Sequence, residues 1–278
     1  MKALICEGGG FKTAVTTGIL DAWLCCGYDP FDLYIGVSGG AVMLSSYLSK
    51  QYKRGWDLIS RLQHDVSLTS FSRFVKGGYY LELDLIEHIW DRITPFDHKK
   101  ALEITQHKRV EFSCTELYTG AAVFIQPKLE KDWKRYLRAT STLPLVSKCP
   151  LVIDNVGLVD GAFAAPVPIQ RAIDLGATEI VLLRTNKNSM AGSRWNRLMS
   201  NYLLKNNYPA INHLMQEEDA IYKKIVATIE SPPDAVRCQV LFPELLKSTI
   251  LSSKKKYLEE DYKTGLEIGL DYLNHQPF

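Results

Sequence analysis

Short apolar runs alternate with helical patterns along the first part of the chain. Residues 3–6 form an apolar run with the length of a buried strand, and three glycines at 8–10 follow closely. Apolar residues spaced three and four apart then predict a helix that ends at Gly27. A second apolar run at 33–35 precedes another helical pattern over 41–48. This strand, helix, strand, helix order predicts a parallel sheet with helices on its faces.

The remaining pattern divides into an ordered series of elements and a weaker C-terminal part. The predicted elements are a helical block over 51–106, a strand pair at 109–115 and 121–126, a basic helix at 131–138, a hairpin at 151–153 and 156–159, a helix at 169–175 and a buried strand at 179–183. After residue 185 we expect helices around one short strand at 238–241. The chain therefore divides into a predicted catalytic domain, 1–185, and a mainly helical C-terminal region, 186–278, packed on that domain.

Composition and charge restrict the class of protein. The 278 residues are 46% hydrophobic with a formal net charge of +2, so we expect a globular protein and no nucleic-acid partner. The six cysteines lack the spacing of a metal or redox motif, which predicts no cofactor, no metal and mostly buried thiols. The first apolar run stops at Glu7, too early for a signal peptide, and no run matches a membrane span. A cytoplasmic location is therefore expected.

The basic helix is the segment with a pattern suited to a membrane surface. Residues 131–138 combine lysines and arginines with Trp133 and Tyr136. Amphipathic basic segments can lie on anionic lipid, and a solvated helix face is the alternative. We keep transient, peripheral membrane contact as an expectation.

Residues 36–40, Gly-Val-Ser-Gly-Gly, match the G-x-S-x-G pattern of a nucleophile elbow. In such an elbow the serine, here Ser38, lies at a strained turn between a buried strand and a helix. The run of Gly8, Gly9 and Gly10 lies at the preceding strand-to-helix turn. Its unobstructed N–H groups can donate to the oxyanion that forms during acyl transfer.

A serine hydroxyl needs a base to become a nucleophile. A triad in the order of the α/β-hydrolases would take its histidine after Asp160, which leaves His213 and His275, and neither ends a predicted strand. Asp160 itself directly follows an apolar strand and precedes Gly161. A partly desolvated carboxylate there can accept the serine proton directly, because burial raises its basicity.

Three motifs in this order, 8–12 (Gly-Gly-Gly-Phe-Lys), 36–40 and 160–162 (Asp-Gly-Ala), resemble those of the patatin-like phospholipases. The resemblance covers residues 2–185 and includes 139–144. It implies a three-layer α/β/α fold with a mostly parallel central sheet and a helical C-terminal extension. It also implies a serine lipid acyl hydrolase that forms an acyl-enzyme and takes a fatty acyl ester or phospholipid substrate.

The resemblance assigns roles to individual residues of this chain. Ser38 and Asp160 would be the catalytic dyad, without histidine or metal. Gly8, Gly9 and Gly10 would form the oxyanion hole. The supporting positions would be Lys12, Gly36, Gly40 and Gly161. Lys12 would orient the glycine loop.

Two departures from the family pattern qualify the resemblance. Thr13 replaces the last glycine of the first motif, and we expect a modest effect on the geometry of that turn. Ala164 and Ala165 stand where many members carry a polar residue before the proline, which weakens the expected support of the Asp160 loop.

Two further classes of protein compete with the hydrolase. A nucleotide-binding module would need glycine in place of Thr13 for the Rossmann pattern, and no Walker lysine has the required spacing. A catalytically silent, lipid-binding or regulatory relative is the other alternative. The presence of Ser38, Asp160 and all three loop glycines favours activity.

Overall fold

A computed structural model describes residues 1–64, 68–185, 204–251 and 253–275. One sheet of eight strands lies at its centre. The strands are β1 (Lys2–Cys6), β2 (Leu33–Val37), β3 (Arg109–Glu116), β4 (Ala122–Ile125), β5 (Leu151–Ile153), β6 (Val156–Asp160), β7 (Glu179–Leu183) and β8 (Arg237–Leu241).

The helices surround this sheet. They are α1 (Ala14–Cys25), α2 (Ser38–Leu48), α3 (Arg54–His64), α4 (Phe71–Val75), α5 (Leu83–Arg92), α6 (His98–His107), α7 (Glu130–Ala139), α8 (Ile169–Asp174), α9 (Pro209–Gln216), α10 (Glu218–Glu230) and α11 (Lys255–Asn274). A single 3₁₀ turn, Gly10–Thr13, precedes α1 and leads the glycine run into it.

Hydrogen-bonded neighbours follow the path β5-β6-β3-β2-β1-β7-β8, in which β6 and β2 pair with successive segments of β3, and β4 also pairs with β3. β8, β7, β1, β2 and β3 are parallel to one another, whereas β4 and β6 run antiparallel to β3, and β5 runs antiparallel to β6. The mostly parallel sheet predicted from the sequence is confirmed. In a parallel sheet the carboxyl ends of the strands lie at one edge, where catalytic loops gather.

Alternate residues of the central strands point to opposite helix layers. In β1, Leu4 and Cys6 join the apolar cluster that includes residues of α1, α2, α7 and α11. Ala3 and Ile5 join the second cluster, with residues of α8 and α10. These two buried layers give the predicted three-layer α/β/α architecture.

The helix α1 is buried on nearly all sides, which differs from the amphipathic helix that its sequence suggests. Every residue from Ala14 to Trp23 is buried, because the sheet covers one side and α11 the other. Gly18 and Gly265 bring the two helices into backbone contact. A Cβ at Gly265 would stand 2.1 Å from the carbonyl oxygen of Val15.

The C-terminal region also contributes to the central sheet. β8 pairs with β7 in parallel register, from Glu179 with Arg237 to Leu183 with Leu241. Residues 186–203 of the predicted helical region lie outside the described residues. The division of the chain near residue 185 stays a prediction.

The expectation that most cysteine thiols are buried is wrong for this chain. Cys6 and Cys114 are buried, and Cys149 and Cys238 are half-buried. Cys25 and Cys26 are exposed. The exposed pair lies where α1 ends and the chain turns into solvent. Among the described residues, no helix combines the length and apolar character needed to cross a bilayer.

Candidate active site

The strands β2 and β6 meet end to end beside β3, and the two predicted catalytic residues lie at this junction. β2 is parallel to β3, and its last residue, Val37, pairs with Ser113. β6 is antiparallel to β3, and its last residue, Asp160, pairs with Cys114. Because β4 pairs with the same two β3 residues, β2 and β6 must share the opposite edge. Ser38, which follows β2, is thereby brought beside Asp160.

Ser38 lies on a tight turn between β2 and α2. Its φ angle is 51°, a left-handed conformation that costs a residue with a side chain about 1–3 kcal/mol. A Cβ on Gly36 would stand 2.6 Å from the Cα of Ala41. A Cβ on Gly40 would stand 2.3 Å from the carbonyl oxygen of Glu7. Both glycines of the elbow pattern are therefore required by close backbone approach.

Asp160 ends β6 with only 3% of its surface exposed. Its carboxylate accepts a hydrogen bond from the Ala162 N–H at 2.9 Å. Burial raises the pKa of the Asp160 carboxyl to about 7, although the nearby Ser38 hydroxyl and the Ala162 N–H act in the opposite direction. A carboxylate of this pKa is a better base than an exposed one, and it lies beside the serine hydroxyl.

Thr140, which follows α7, supports the backbone of the elbow. Its hydroxyl accepts a hydrogen bond from the Ser38 N–H at 2.9 Å and donates one to the Ser113 carbonyl at 2.5 Å. The sequence assigns no such role to Thr140, although the residue lies in the segment 139–144 that resembles the family. The two partners are 102 residues apart, so no local pattern could reveal the contact.

We expect Thr140→Val to lower the free energy of unfolding by about 1–3 kcal/mol, because it leaves the part-buried Ser38 N–H without its acceptor and the Ser113 carbonyl without its donor. Thr140 is fully buried, so water cannot readily replace the lost hydroxyl. Thr140→Ser keeps the hydroxyl and is the matched control. Urea denaturation measures both variants, and equal losses in the two would show that the hydroxyl is not what matters.

The glycine run lies against the elbow. A Cβ on Gly8 would stand 2.9 Å from the Cβ of Ser38, so the two segments are in contact. Gly10 has a φ of 55°, and its nitrogen lies 3.3 Å from where a Cβ of Gly39 would stand. The N–H groups of Gly9 and Gly10 donate to no acceptor within the described part of the chain. Amides placed beside a serine in this way can receive an oxyanion.

The buried carboxylate of Glu7 and its hydrogen-bond partners hold the glycine run in place. Glu7 is 2% exposed and accepts hydrogen bonds from the Thr185 N–H at 2.8 Å and the Tyr222 hydroxyl at 3.2 Å. The Arg184 guanidinium lies 3.5 Å from the same carboxylate. The Thr185 hydroxyl donates to the Gly8 carbonyl. One feature of the sequence could have indicated this role of Glu7: it is an acidic residue placed between an apolar strand and three glycines.

The remaining predicted positions lie around the same loops. The Thr13 hydroxyl donates to the Gly10 carbonyl at 2.7 Å, so the threonine takes part in the turn where the family has glycine. Lys12 is half-buried, and burial lowers the pKa of its ammonium group while the charge of Glu7 raises it. A Cβ on Gly161 would stand 2.2 Å from a β3 carbonyl oxygen.

The loop after Asp160 is supported from β3. The Thr115 hydroxyl donates to the Asp160 carbonyl at 2.8 Å and accepts from the Ala164 N–H at 3.2 Å. The Ala165 N–H donates to the Gly161 carbonyl at 2.9 Å. Thr115 thus provides a polar contact to the loop that alanines 164 and 165 cannot.

Histidines and metal ligands do not complete this site within the described ranges. His275 approaches Asp271 at the end of α11, and His213 lies on α9 without a contact to Ser38. No three histidine, cysteine, aspartate or glutamate side chains of the described residues gather as a metal site requires. The titratable group beside the Ser38 hydroxyl in the described residues is the Asp160 carboxylate.

Comparisons with known proteins match both parts of the chain. The profile of the patatin-like phospholipase family matches residues 4–173, and that of a domain of unknown function (DUF6363) matches residues 208–277. The uncharacterized protein YjjU of Escherichia coli (strain K12) is 28% identical over 273 residues, which cover 98% of this chain and 76% of that protein. The crystal structure of VipD from Legionella pneumophila aligns with 98% of this chain, with a TM-score of 0.49 and 10% identity. This chain spans 66% of the length of VipD.

The family profile covers more than half of the 278 residues. The glycine run, the elbow and Asp160 all fall within the matched range. The chain therefore belongs to the patatin-like phospholipase family.

Proposed function

We propose that this protein is a serine lipid acyl hydrolase that acts through a Ser38-Asp160 dyad. The observation that carries the proposal is that β2 and β6 end against neighbouring residues of β3, which brings the Ser38 hydroxyl beside the buried Asp160 carboxylate. The adjacent N–H groups of Gly8, Gly9 and Gly10 form the proposed oxyanion hole. Membership in the patatin-like phospholipase family supports a lipid acyl hydrolase in general.

The proposed reaction has two halves. In the first, Asp160 accepts the Ser38 proton while Oγ attacks the ester carbonyl, and the glycine N–H groups stabilise the oxyanion. The bond to the leaving alcohol then breaks, and Asp160 returns the proton to that alcohol. In the second half, Asp160 takes a proton from water as its oxygen attacks the acyl-enzyme. The bond between the acyl carbon and Ser38 Oγ then breaks, the fatty acid is released, and Asp160 returns the proton to Ser38 Oγ.

The proposed substrates are fatty acyl esters, including phospholipids, so the reaction is that of a carboxylic ester hydrolase. Ser38 is half-buried at its turn, so part of this residue is accessible to a substrate. Cytoplasmic action with transient contact to a membrane surface suits such a substrate and belongs to the same proposal. Nucleic acid has no part in it.

The rate of ester hydrolysis is expected to depend on the ionisation of Asp160. The carboxyl must be deprotonated to accept the serine proton, and burial raises its pKa to about 7. We therefore expect kcat/KM to rise about tenfold per pH unit below that pKa and to level off above it. Measuring kcat/KM for a soluble ester as a function of pH tests this expectation. A plateau that begins near the usual aspartate pKa of about 4 would contradict it.

Labelling with a fluorophosphonate tests the proposed function directly. The probe phosphonylates an activated serine and releases fluoride, so we expect an adduct on the Ser38 peptide by mass spectrometry. Ser38→Ala should abolish this adduct, and Asp160→Asn should slow its formation. If the folded protein forms no adduct and hydrolyses no ester across several chain lengths, the catalytically silent, lipid-binding alternative is favoured.

A further inference from the structure

The segment 245–251, which leads to α11, packs on the glycine run. The Ile250 carbonyl accepts a hydrogen bond from the Phe11 N–H at 3.1 Å. A Cβ on Gly10 would stand 2.0 Å from the same oxygen and 2.9 Å from the carbonyl carbon of Ile250. The backbone of the segment is therefore in direct contact with the loop that carries the proposed oxyanion donors.

The glycine run depends on such contacts to keep one conformation. Gly9 and Gly10 have φ angles of 147° and 55°, and glycine has more conformational freedom than any other residue. The Ile250 carbonyl holds Phe11, the residue that directly follows the run. N–H donors stabilise a developing oxyanion best when they are already fixed before the reaction. The Ile250 contact therefore bears on how well the loop can receive an oxyanion.

Asp261 of α11 anchors the segment close to this contact. Its carboxylate accepts N–H bonds from Lys247 at 3.0 Å and from Ser248 at 2.8 Å, one on each oxygen. Asp261 is 2% exposed, and hydrogen bonds to a carboxylate are roughly twice as strong as those between neutral groups. The segment is thus tied to α11 two residues before the carbonyl that contacts the glycine run.

The helix α11 is a fixed support for this anchor. It lies in backbone contact with α1, where a Cβ at Gly265 would stand 2.1 Å from the Val15 carbonyl oxygen. α1 in turn begins directly after the 3₁₀ turn that ends the glycine run. The contacts form a closed chain, from the glycine run through α1 and α11 to Asp261, and back through the segment to Phe11. A change at Asp261 opens this chain without separating the two helices.

We propose that Asp261 is a positioning residue for the proposed oxyanion hole. By accepting both N–H bonds it holds the Ile250 carbonyl against the glycine run and keeps the N–H groups of the run beside Ser38. The segment and α11 both belong to residues 208–277, the range matched by the domain of unknown function, which gives that domain a task at the active site. The inference rests on the proposed function, because the loop has a catalytic role only if Ser38 has one.

Asp261→Asn tests the role in catalysis. The substitution places an NH₂ group where a carboxylate oxygen accepts an N–H, so two donors face each other and the segment should detach. We expect kcat for 4-nitrophenyl butanoate to fall roughly 10- to 100-fold with KM little changed, since small displacements of catalytic groups have effects of this size. The compared quantity is kcat per folded molecule, with the folded fraction measured by near-UV circular dichroism. An unchanged kcat, or a change in KM alone, would overturn the role.

Two neighbouring residues of α11 provide matched controls. Glu260→Gln removes the ion pair with the Lys247 side chain at 2.7 Å and leaves the Lys247 N–H bond to Asp261 in place. Tyr262→Phe removes the hydrogen bond to the buried Asp21 carboxylate, which lowers stability without involving the segment. Both controls should keep kcat within about twofold of wild type. An equal fall in kcat for Tyr262→Phe and Asp261→Asn would mean that general loosening of α11 is responsible, and it would overturn the proposal.

Hydrogen exchange tests the same link without turnover. The Phe11 amide is exposed to exchange when the segment opens, and loss of a hydrogen bond to a charged group shifts such an equilibrium roughly 10- to 100-fold. In Asp261→Asn the Phe11 amide should therefore exchange at least about tenfold faster than in the wild-type protein, while amides of β1 and β2 keep their rates. Unchanged exchange at Phe11, or uniform acceleration across the sheet, would contradict the positioning role.

Ser248→Ala loosens the segment while Asp261 stays intact, so the test does not depend on the folding of Asp261→Asn. The Ser248 hydroxyl accepts a hydrogen bond from the Ser253 hydroxyl at 3.0 Å, which ties the segment to the residues before α11. Loss of one neutral hydrogen bond corresponds to a factor of about two to ten. Exchange of the Phe11 amide should accelerate by that factor. The same rate as in the wild-type protein would show that the segment does not hold Phe11 and would overturn the proposal.

The two kinds of measurement separate this inference from the proposed function. Exchange at Phe11 decides whether Asp261 holds the glycine run, and it needs no substrate. If the wild-type protein hydrolyses no ester, the exchange result stands, while the catalytic role falls together with the proposed function. If the ester is hydrolysed and exchange accelerates without a loss of kcat, the proposed function stands and the positioning role is overturned.

Discussion

Asp160→Asn is expected to lower kcat for ester hydrolysis by about 10²–10⁴-fold, the usual contribution of a general base. The asparagine amide has nearly the same shape as the carboxylate, but it cannot take the serine proton. The loss should therefore appear in kcat, with KM little changed. Steady-state kinetics with a soluble ester at a pH above about 7, where the Asp160 carboxyl is ionised, measures the effect.

Asp154→Asn is the matched control for this substitution. Asp154 lies exposed at the turn between β5 and β6 with a φ of 49°, a conformation that asparagine also tolerates. Its activity should stay within about twofold of wild type, as expected for a surface change. A comparable loss in both variants would mean that the hairpin, rather than the Asp160 carboxylate, is responsible.

Asp160→Asn should gain stability relative to the wild-type protein although it loses activity. Burial raises the pKa of Asp160 in the folded protein to about 7, above the unfolded value of about 3.9, so the folded state binds this proton more tightly. The resulting stabilisation is complete below the unfolded pKa and is lost as the pH rises through the folded pKa. Relative to wild type, Asp160→Asn should thus gain stability between about pH 4 and pH 7. Urea unfolding at several pH values measures this difference.

Gly265→Val should have the largest effect on stability. A Cβ at this position of α11 would stand 2.1 Å from the Val15 carbonyl oxygen, and that oxygen belongs to the backbone of buried α1. The helices must separate to admit any side chain, which disturbs the contacts of Gly18 and Gly269 at the same interface. We expect a loss of about 3 kcal/mol or more, at the upper end of overpacking effects, and a fall in Tm of roughly 5–10 °C.

Glu267→Val provides the control within the same helix. Glu267 is exposed, so the substitution introduces the same β-branched residue without a steric conflict. It should cost less than about 1 kcal/mol, the scale of helix propensity. Similar unfolding midpoints for the two variants would contradict close helix packing as the reason that Gly265 is required.

The sequence predicted the family and the fold because their signals are local. A strand, a tight turn and a helix follow one another within a few residues at Gly8–Gly10 and again at Ser38. Both the patatin-like membership and the mostly parallel α/β sheet are confirmed. The roles of Ser38, Asp160 and the loop glycines stay predictions, now with a geometry in which each can be tested.

The burial of α1 and of the cysteine thiols could not be predicted from the local sequence pattern. The burial of α1 on nearly all sides depends on α11, which is more than 200 residues away in the sequence. The exposure of Cys25 and Cys26 depends on where α1 ends relative to its neighbours. Apolar neighbours in sequence do not guarantee burial at the end of a helix.

By itself, the sequence determined which backbone turns can form, because only glycine fits where Gly36 and Gly40 meet the neighbouring backbone. It also placed an ionisable group, Asp160, at the end of an apolar strand. The tertiary structure alone decided that Asp160 faces Ser38, since this follows from β2 and β6 sharing one edge of β3. It likewise decided the supports from Thr140 and Ile250, because these contacts join segments whose proximity depends on the packing of the whole sheet and its helices.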